Sequence, residues 1–148
     1  EYDIQAVWLW PNVDAGSDDI AKRLREFREC FSNNKIHFYK NFSPEDYACL
    51  LNNCTCIVGN SSSGLREGAF LGTPCVNIGS RQRNRERSEN VLDVSYNAEE
   101  IYQSLVKQKE IGRYPSSDLV GSGKAGIQIA EILAKVDLNV NKTLNYLN

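Results

Sequence analysis

The sequence predicts an α/β fold: a doubly wound, Rossmann-like parallel sheet with helices on both faces. Three observations predict it. Short apolar runs of strand length alternate with stretches of helical periodicity along the whole chain. Loops rich in Gly, Ser, Asn or Pro separate the runs. The chain has 148 residues, 41% hydrophobic and 24% charged, which suits one globular domain with a sizeable core.

The first strand is expected at Gln5–Leu9 and a loop at Pro11–Ser17. Ser17 can cap the helix that follows, with Asp18 and Asp19 favourably placed in its first turn. Ile20, Leu24, Phe27 and Phe31 recur at helical spacing, and Asn33–Asn34 ends the helix. A second strand covers Ile36–Tyr39. Ser43-Pro44 then opens a helix, Ser as cap and Pro at its first position, with Tyr47, Leu50 and Leu51 inward. Thr55–Val58 reads as the third strand, Gly59–Gly64 as a tight loop and Leu65–Leu71 as a short helix broken by Gly72-Thr73-Pro74. Cys75–Ile78 is the fourth strand, Gly79–Glu89 an arginine-rich loop and Val91–Val94 the fifth strand. Asn97 caps a helix running to about Lys107. After a Gly-, Pro- and Ser-containing loop, Ala125–Val136 forms a last helix with Ile129, Ile132, Leu133 and Val136 along one side. Residues 1–138 are expected to form one domain, and 139–148 a frayed, Asn-rich tail.

Composition removes several function classes. A net charge of −2 gives no global attraction to nucleic acid or to an anionic membrane. No apolar run approaches the roughly 18 residues of a membrane helix. Five cysteines, an odd number, make a poor disulfide framework, so reduced thiols packed as small apolar residues are the favoured reading, with a cytoplasmic location. Cys54 and Cys56 would need further ligands close by to hold a metal, and His37 is the single histidine. Neither a metal nor a cofactor is expected.

The most informative stretch is Ile57-Val58-Gly59-Asn60-Ser61-Ser62-Ser63-Gly64-Leu65-Arg66-Glu67-Gly68. A strand runs into a loop of hydroxyl residues and glycines, then into a helix. In open parallel sheets ligands sit beyond the carboxyl ends of strands, and a helix start suits phosphate. Ser61, Ser62 and Ser63 add hydroxyl donors; Gly59 and Gly64 allow close backbone approach. Glu67 could accept hydrogen bonds from two vicinal hydroxyls, as ribose presents. A serine-rich turn that merely caps the helix stands equally open on local sequence, because neither standard nucleotide fingerprint is present. Arg81, Arg83, Arg85 and Arg87 follow the fourth strand at the same sheet edge and could grip phosphate oxygens. Their alternative is a solvated basic loop balanced by Glu86 and Glu89. His37 reads as a satisfied strand histidine, Trp8 and Trp10 as packing residues, and Lys22, Arg23 and Arg25 as the solvated face of the first helix.

Taken together these segments resemble the hydrolysing UDP-N-acetylglucosamine 2-epimerases, in the branch that starts sialic acid synthesis in animals and its bacterial relatives. The likeness is carried in order by Pro11-Asn12-Val13-Asp14-Ala15-Gly16-Ser17, by Gly59 through Pro74, by Gly79-Ser80-Arg81-Gln82 with Arg85 and Glu89-Asn90-Val91-Leu92, and by Tyr114-Pro115 with Gly121-Ser122-Gly123-Lys124-Ala125. The resemblance implies a GT-B-type architecture, two doubly wound domains around a nucleotide cleft, with this chain as the second. It implies UDP and UDP-N-acetylglucosamine as ligands, Ser61 and Ser62, with Ser63 and Gly64, at the diphosphate, Glu67 at the ribose hydroxyls, Arg81 at a phosphate and Phe42 against the uracil.

The implied reaction eliminates UDP, then adds water to give N-acetylmannosamine. The elimination needs a base at C2, and the family's catalytic carboxylates belong to the first domain. No catalytic residue is therefore expected in this chain, which alone would be inactive. The implied partners are the N-terminal domain of the same enzyme and further copies in a homo-oligomer, with no nucleic acid and no membrane. A regulatory CMP-sialic acid site would correspond to Asn12, Lys22, Arg25 and Lys40, although acidic Asp18 and Asp19 depart from the more basic helix start of the animal enzyme. Two alternatives share the fold: the UDP-sugar domain of a GT-B glycosyltransferase, and a non-catalytic UDP-binding module.

Overall fold

The computed structural model describes residues 4–11, 17–30 and 35–137. Asn12, Phe31, the helix end at Asn33–Asn34 and the tail 139–148 lie outside the described residues. Contacts divide the chain into two compact units, Glu1–Leu50 and Leu51–Asn148.

The first unit holds β1 (Ala6–Leu9), α1 (Ser17–Cys30), β2 (Ile36–Tyr39) and the first turns of α2 (Pro44–Asn53). β1 and β2 pair in parallel, Ala6 opposite Ile36 and Leu9 opposite Tyr39. The aromatic residues decide how α1 lies on this pair: the Trp8 ring meets Phe27 of α1 at 5.6 Å and stacks on Phe38 of β2 at 6.0 Å. From the expected α1 stripe Leu24 is buried, whereas Ile20 is 54% exposed, so the buried face is narrower than its spacing suggests. Arg23 pairs with Glu26 at 2.9 Å on the open surface, as a solvated face should. At α2 the Ser43 hydroxyl accepts from the Asp46 N–H at 3.1 Å and donates to the Asp46 carboxylate at 2.8 Å. Ser43 therefore caps the helix as its sequence predicts.

The second unit holds β3 (Ile57–Gly59), a 3₁₀ turn (Ser62–Gly64), α3 (Glu67–Leu71), β4 (Cys75–Ile78), β5 (Val91–Val94), α4 (Ala98–Ile111) and α5 (Ala125–Leu133). All three strands are parallel, in the order β3-β4-β5. The central strand is the most buried, with Cys75, Val76 and Asn77 at 1%, 0% and 0% exposure. The α/β class is thus present, with parallel pairing throughout.

Buried amides do much of the joining. Gln108 on α4 is fully buried and donates from Nε2 to the backbone oxygens of Cys75 (2.8 Å) and Asn90 (2.9 Å). Its Oε1 accepts from the Tyr114 hydroxyl at 2.7 Å. The segment after α4 then satisfies the last carbonyls of α3. Tyr114 N–H donates to Gly72 O (2.9 Å), Ser117 N–H to Ala69 O (3.0 Å), and the Ser116 hydroxyl to Phe70 O (2.6 Å). A helix as short as α3 has almost no internally paired carbonyls, so it depends on such outside donors. Asn97 caps α4 by accepting from Glu100 N–H at 3.0 Å, and the helix continues to Ile111, beyond the expected end near Lys107. α5 stops at Leu133, and its expected stripe is open: Ile129, Ile132 and Leu133 are 56%, 62% and 62% exposed.

None of the five cysteines is in a disulfide. Burial pushes the Cys56 and Cys75 thiols up to about 12, and burial also raises Cys54, so these three remain protonated and fit the packed reading. Cys30 and Cys49 are exposed and do not fit it. Among the described residues no cluster of His, Cys, Asp or Glu is arranged to hold a metal ion, and no helix is long and apolar enough to cross a membrane.

Candidate functional site

Adjacent parallel strands end at the same sheet edge. The loop after β3 and the loop after β4 therefore emerge side by side at their carboxyl ends. The first is the serine loop. Gly59 has φ +147°, a conformation that favours glycine and turns the chain off the strand. Ser61 then caps the 3₁₀ turn, its hydroxyl accepting from Ser63 N–H at 3.3 Å and lying 3.1 Å from the Ser63 hydroxyl. Leu65 and Arg66 N–H groups both donate to Ser62 O, at 3.1 and 3.0 Å. Gly64 is buried, and a Cβ there would overlap the Cys75 sulfur of β4. The absence of a side chain is what lets the loop lie down on the central strand.

Of the expected helix Leu65–Leu71 only Glu67–Leu71 is regular helix, Leu65 and Arg66 forming a turn, while the end of the expected loop, Ser62–Gly64, is a 3₁₀ turn. Gly64 packs close to Cys75 of β4, and Gly68, inside α3, close to Ile57 of β3. So short a helix contributes little dipole. What the serine loop itself contributes to phosphate affinity must rest on its own N–H and hydroxyl groups.

The second loop carries the arginines. Turns at Arg83 (N–H to Ser80 O, 2.9 Å) and Arg85 (N–H to Gln82 O, 3.3 Å) fold it back, with Asn84 at φ +66°. Arg87 is not available to a ligand in the way its spacing suggests. Its Nε donates to Asp93 Oδ2 at 2.5 Å, one Nη to Gln82 O at 2.8 Å and the other to Arg85 O at 2.5 Å. The arginine that balances charge here is paired with Asp93 of β5, and neither Glu86 nor Glu89 is its partner. The hydrogen bond from Arg87 holds the Asp93 carboxyl below its ordinary range, and a 2.6 Å bond from Asn77 acts the same way. Arg81, Arg83 and Arg85 are exposed.

Two buried side chains bind the loops together. Gln82, 2% exposed, donates from Nε2 to Asn60 O at 2.7 Å. Asn90, 1% exposed, donates to Gly64 O at 3.0 Å and to Thr73 O at 2.7 Å. Sequence reading had no means to single out these amides for such a role. Glutamine and asparagine in a polar loop look solvated, and only the tertiary contact reveals otherwise. Tyr96, following β5, lies with its ring against Gly79 at the same edge.

The remaining expected residues are placed as follows. Ser61 and Glu67 are exposed and Ser62 and Ser63 half-buried; Glu67 is the first residue of α3. With Gly64 and Arg81 they belong to one unit and one sheet edge. Phe42 belongs to the first unit, half-buried, its ring 4.8 Å from Tyr39. Lys22 and Arg25 are exposed on α1, and Lys40 is exposed after β2. The arrangement offers hydroxyl and backbone donors beside exposed guanidinium groups, which is a chemistry for an anionic ligand with neighbouring hydroxyls.

A family model described as UDP-N-acetylglucosamine 2-epimerase matches residues 1–134. The chain is 26% identical over 115 residues to the UDP-N-acetylglucosamine 2-epimerase of Neisseria meningitidis serogroup B, covering 78% of this chain and 29% of that protein. It is 30% identical over 145 residues to the UDP-N,N'-diacetylbacillosamine 2-epimerase (hydrolyzing) of Legionella pneumophila, covering 98% and 37%. It is 38% identical over 86 residues to the GDP/UDP-N,N'-diacetylbacillosamine 2-epimerase (hydrolyzing) of Campylobacter jejuni, covering 56% and 22%. The chain thus spans at most 37% of the length of these relatives.

Proposed function

The chain belongs to the UDP-N-acetylglucosamine 2-epimerase family, and on that premise we propose that it is the UDP-binding part of a hydrolysing UDP-sugar 2-epimerase. In this reading Ser61, Ser62, Ser63 and Gly64 hold the diphosphate, Arg81 neutralises a phosphate, Glu67 accepts from the ribose hydroxyls, and Phe42 meets the uracil. The reaction breaks the anomeric carbon–oxygen bond while a base removes the C2 proton. UDP leaves with the bonding electrons, and water then adds to the resulting alkene at the anomeric carbon to release the free 2-epimeric sugar. A leaving diphosphate gathers negative charge, so donors already in place at its oxygens lower the barrier. The proton chemistry is assigned to a first domain of the same, cytoplasmic enzyme. N-acetylmannosamine is then the sugar product and sialic acid synthesis the use to which it is put. A regulatory nucleotide-sugar site is assigned to Asn12, Lys22, Arg25 and Lys40, with Asp18 and Asp19 lowering the potential at the start of α1.

The observation that supports the reading best is the 2.7 Å bond from Gln82 to Asn60 O, which joins the serine loop to the arginine segment at one sheet edge. Calorimetry on Arg81→Ala tests it. Affinity for UDP should fall by more than affinity for uridine, since only UDP carries phosphate; equal losses would remove Arg81 from the phosphate role. A second reading concerns the sugar. Identity is 38% and 30% to the two diacetylbacillosamine epimerases and 26% to the N-acetylglucosamine enzyme, which favours a 2,4-diacetamido sugar. Hydrolysis rates of the two UDP-sugars by the full-length enzyme carrying this chain would separate the readings.

A further inference from the structure

We infer that Gln82 and Asn90 are positioning residues that aim the serine loop at its ligand and make it one body with the arginine segment; the inference rests on the UDP reading above only for the identity of that ligand. Their acceptors are the carbonyls of Asn60 and Gly64, the first and last of the loop. Both donors come from the stretch between β4 and β5. A trans peptide sets the N–H of one residue opposite the carbonyl of the residue before it, and no cis peptide occurs among the described residues. Turning the Asn60 carbonyl onto Gln82 therefore turns the Ser61 N–H the other way, out from the buried amide, at an exposed residue. The same bond keeps a carbonyl dipole from facing an incoming anion.

Stability alone does not account for these side chains. The Oε1 of Gln82 and the Oδ1 of Asn90 are buried with no partner among the described residues. Half-satisfied buried amides are costly, and a well-packed apolar side chain of similar shape would avoid the cost. What the amide supplies, and an apolar side chain could not, is its N–H. Gln82 is itself held: its carbonyl accepts from Arg87, which is fixed on Asp93. A continuous series of bonds thus runs from β5 through the arginine segment to Asn60.

The test compares wild type, Gln82→Met and Gln103→Met by amide hydrogen exchange and by calorimetry with UDP and uridine. Methionine keeps the length and loses the donor; Gln103 is an exposed glutamine on α4 and serves as control. Loss of one buried donor corresponds to roughly a tenfold change in a local equilibrium. Exchange at Leu65 and Arg66, whose N–H groups close the loop on Ser62, should quicken about tenfold in Gln82→Met, with Val76 of β4 unchanged. UDP affinity should fall about tenfold and uridine affinity by much less. Wild-type exchange at Leu65 and Arg66 in Gln82→Met would overturn the inference. Should that variant fold poorly, the Gln82 side-chain amide of the wild type decides: slow exchange relative to Gln103 supports the inference, and equal exchange overturns it. If wild type binds no UDP, the proposed function fails, while the exchange comparison still decides the loop assignment.

Discussion

Replacing Gly64 by alanine tests how the serine loop is seated. The new Cβ would overlap the Cys75 sulfur, would lie 3.3 Å from the Cys75 Cβ and would make ordinary contact with Ile57 at 3.7 Å. Gly64 and Cys75 are both buried, and the neighbour is a short side chain on the central strand, so neither can swing aside. Overpacking of this kind costs about 1–3 kcal/mol. Gly64 has no left-handed backbone, so alanine also restricts the unfolded chain and returns about 0.4–1 kcal/mol. The net loss should be about 1–2 kcal/mol. With a urea slope near 2 kcal/mol per molar, the unfolding midpoint falls by about 0.5–1 M. Cys75→Ala alone removes the sulfur and should cost about 1 kcal/mol. The double variant should be nearly as stable as Cys75→Ala, because the atom that the new methyl group would strike is gone. That is a coupling of about 1–2 kcal/mol. Urea unfolding of the four proteins measures it. Losses that simply add, within about 0.5 kcal/mol, would refute the idea that the loop rests on the Cys75 sulfur.

Three further outcomes follow from the same geometry. Asp93 is held below its ordinary range by Arg87 and Asn77, so it contributes stability above the unfolded carboxylate pKa of about 3.9 and loses it as pH falls through its lower folded pKa; Asp93→Asn should flatten the acid side of a urea-midpoint profile between about pH 2 and 5, and an unchanged acid slope would count against the Arg87–Asp93 clamp. Thiol titration of the native chain near pH 8 should find Cys30 and Cys49 fast and Cys54, Cys56 and Cys75 slow, with all five reacting after denaturation; a fast buried thiol would contradict the packing around β4. Glu67→Ala should lower affinity for UDP more than for its 2′-deoxy analogue, and equal losses would remove Glu67 from the ribose.

Much of the fold was legible because local signals agreed with it. Ile36–Tyr39, Cys75–Ile78 and Val91–Val94 were bounded by loops on both sides, and Ser43 and Asn97 announced α2 and α4. The stretch from Leu65 was harder. Its composition is helical, yet the Leu65 and Arg66 N–H groups both close a turn on Ser62 O and only Glu67–Leu71 is regular helix. The apolar side of α5 shows that a stripe in sequence states what a helix can bury, not what it does bury within the chain described.

The candidate site divides in the same way. The serine loop could be read from glycines and hydroxyls at a strand end, because those residue types act locally. Gln82, Asn90 and Gln108 could not, because their roles depend on burial against distant backbone. Arg87 looked equivalent to Arg81 until Asp93, on the next strand, was seen to take it.

The central claim is that this chain binds UDP, and calorimetry of UDP against GDP and UMP on the chain itself tests it most directly. The account predicts saturable binding in which UDP exceeds UMP, through the second phosphate, and exceeds GDP, through the base, with the affinity reduced by Ser61→Ala. Binding that does not distinguish UDP from GDP and UMP, or that survives Ser61→Ala unchanged, would contradict it.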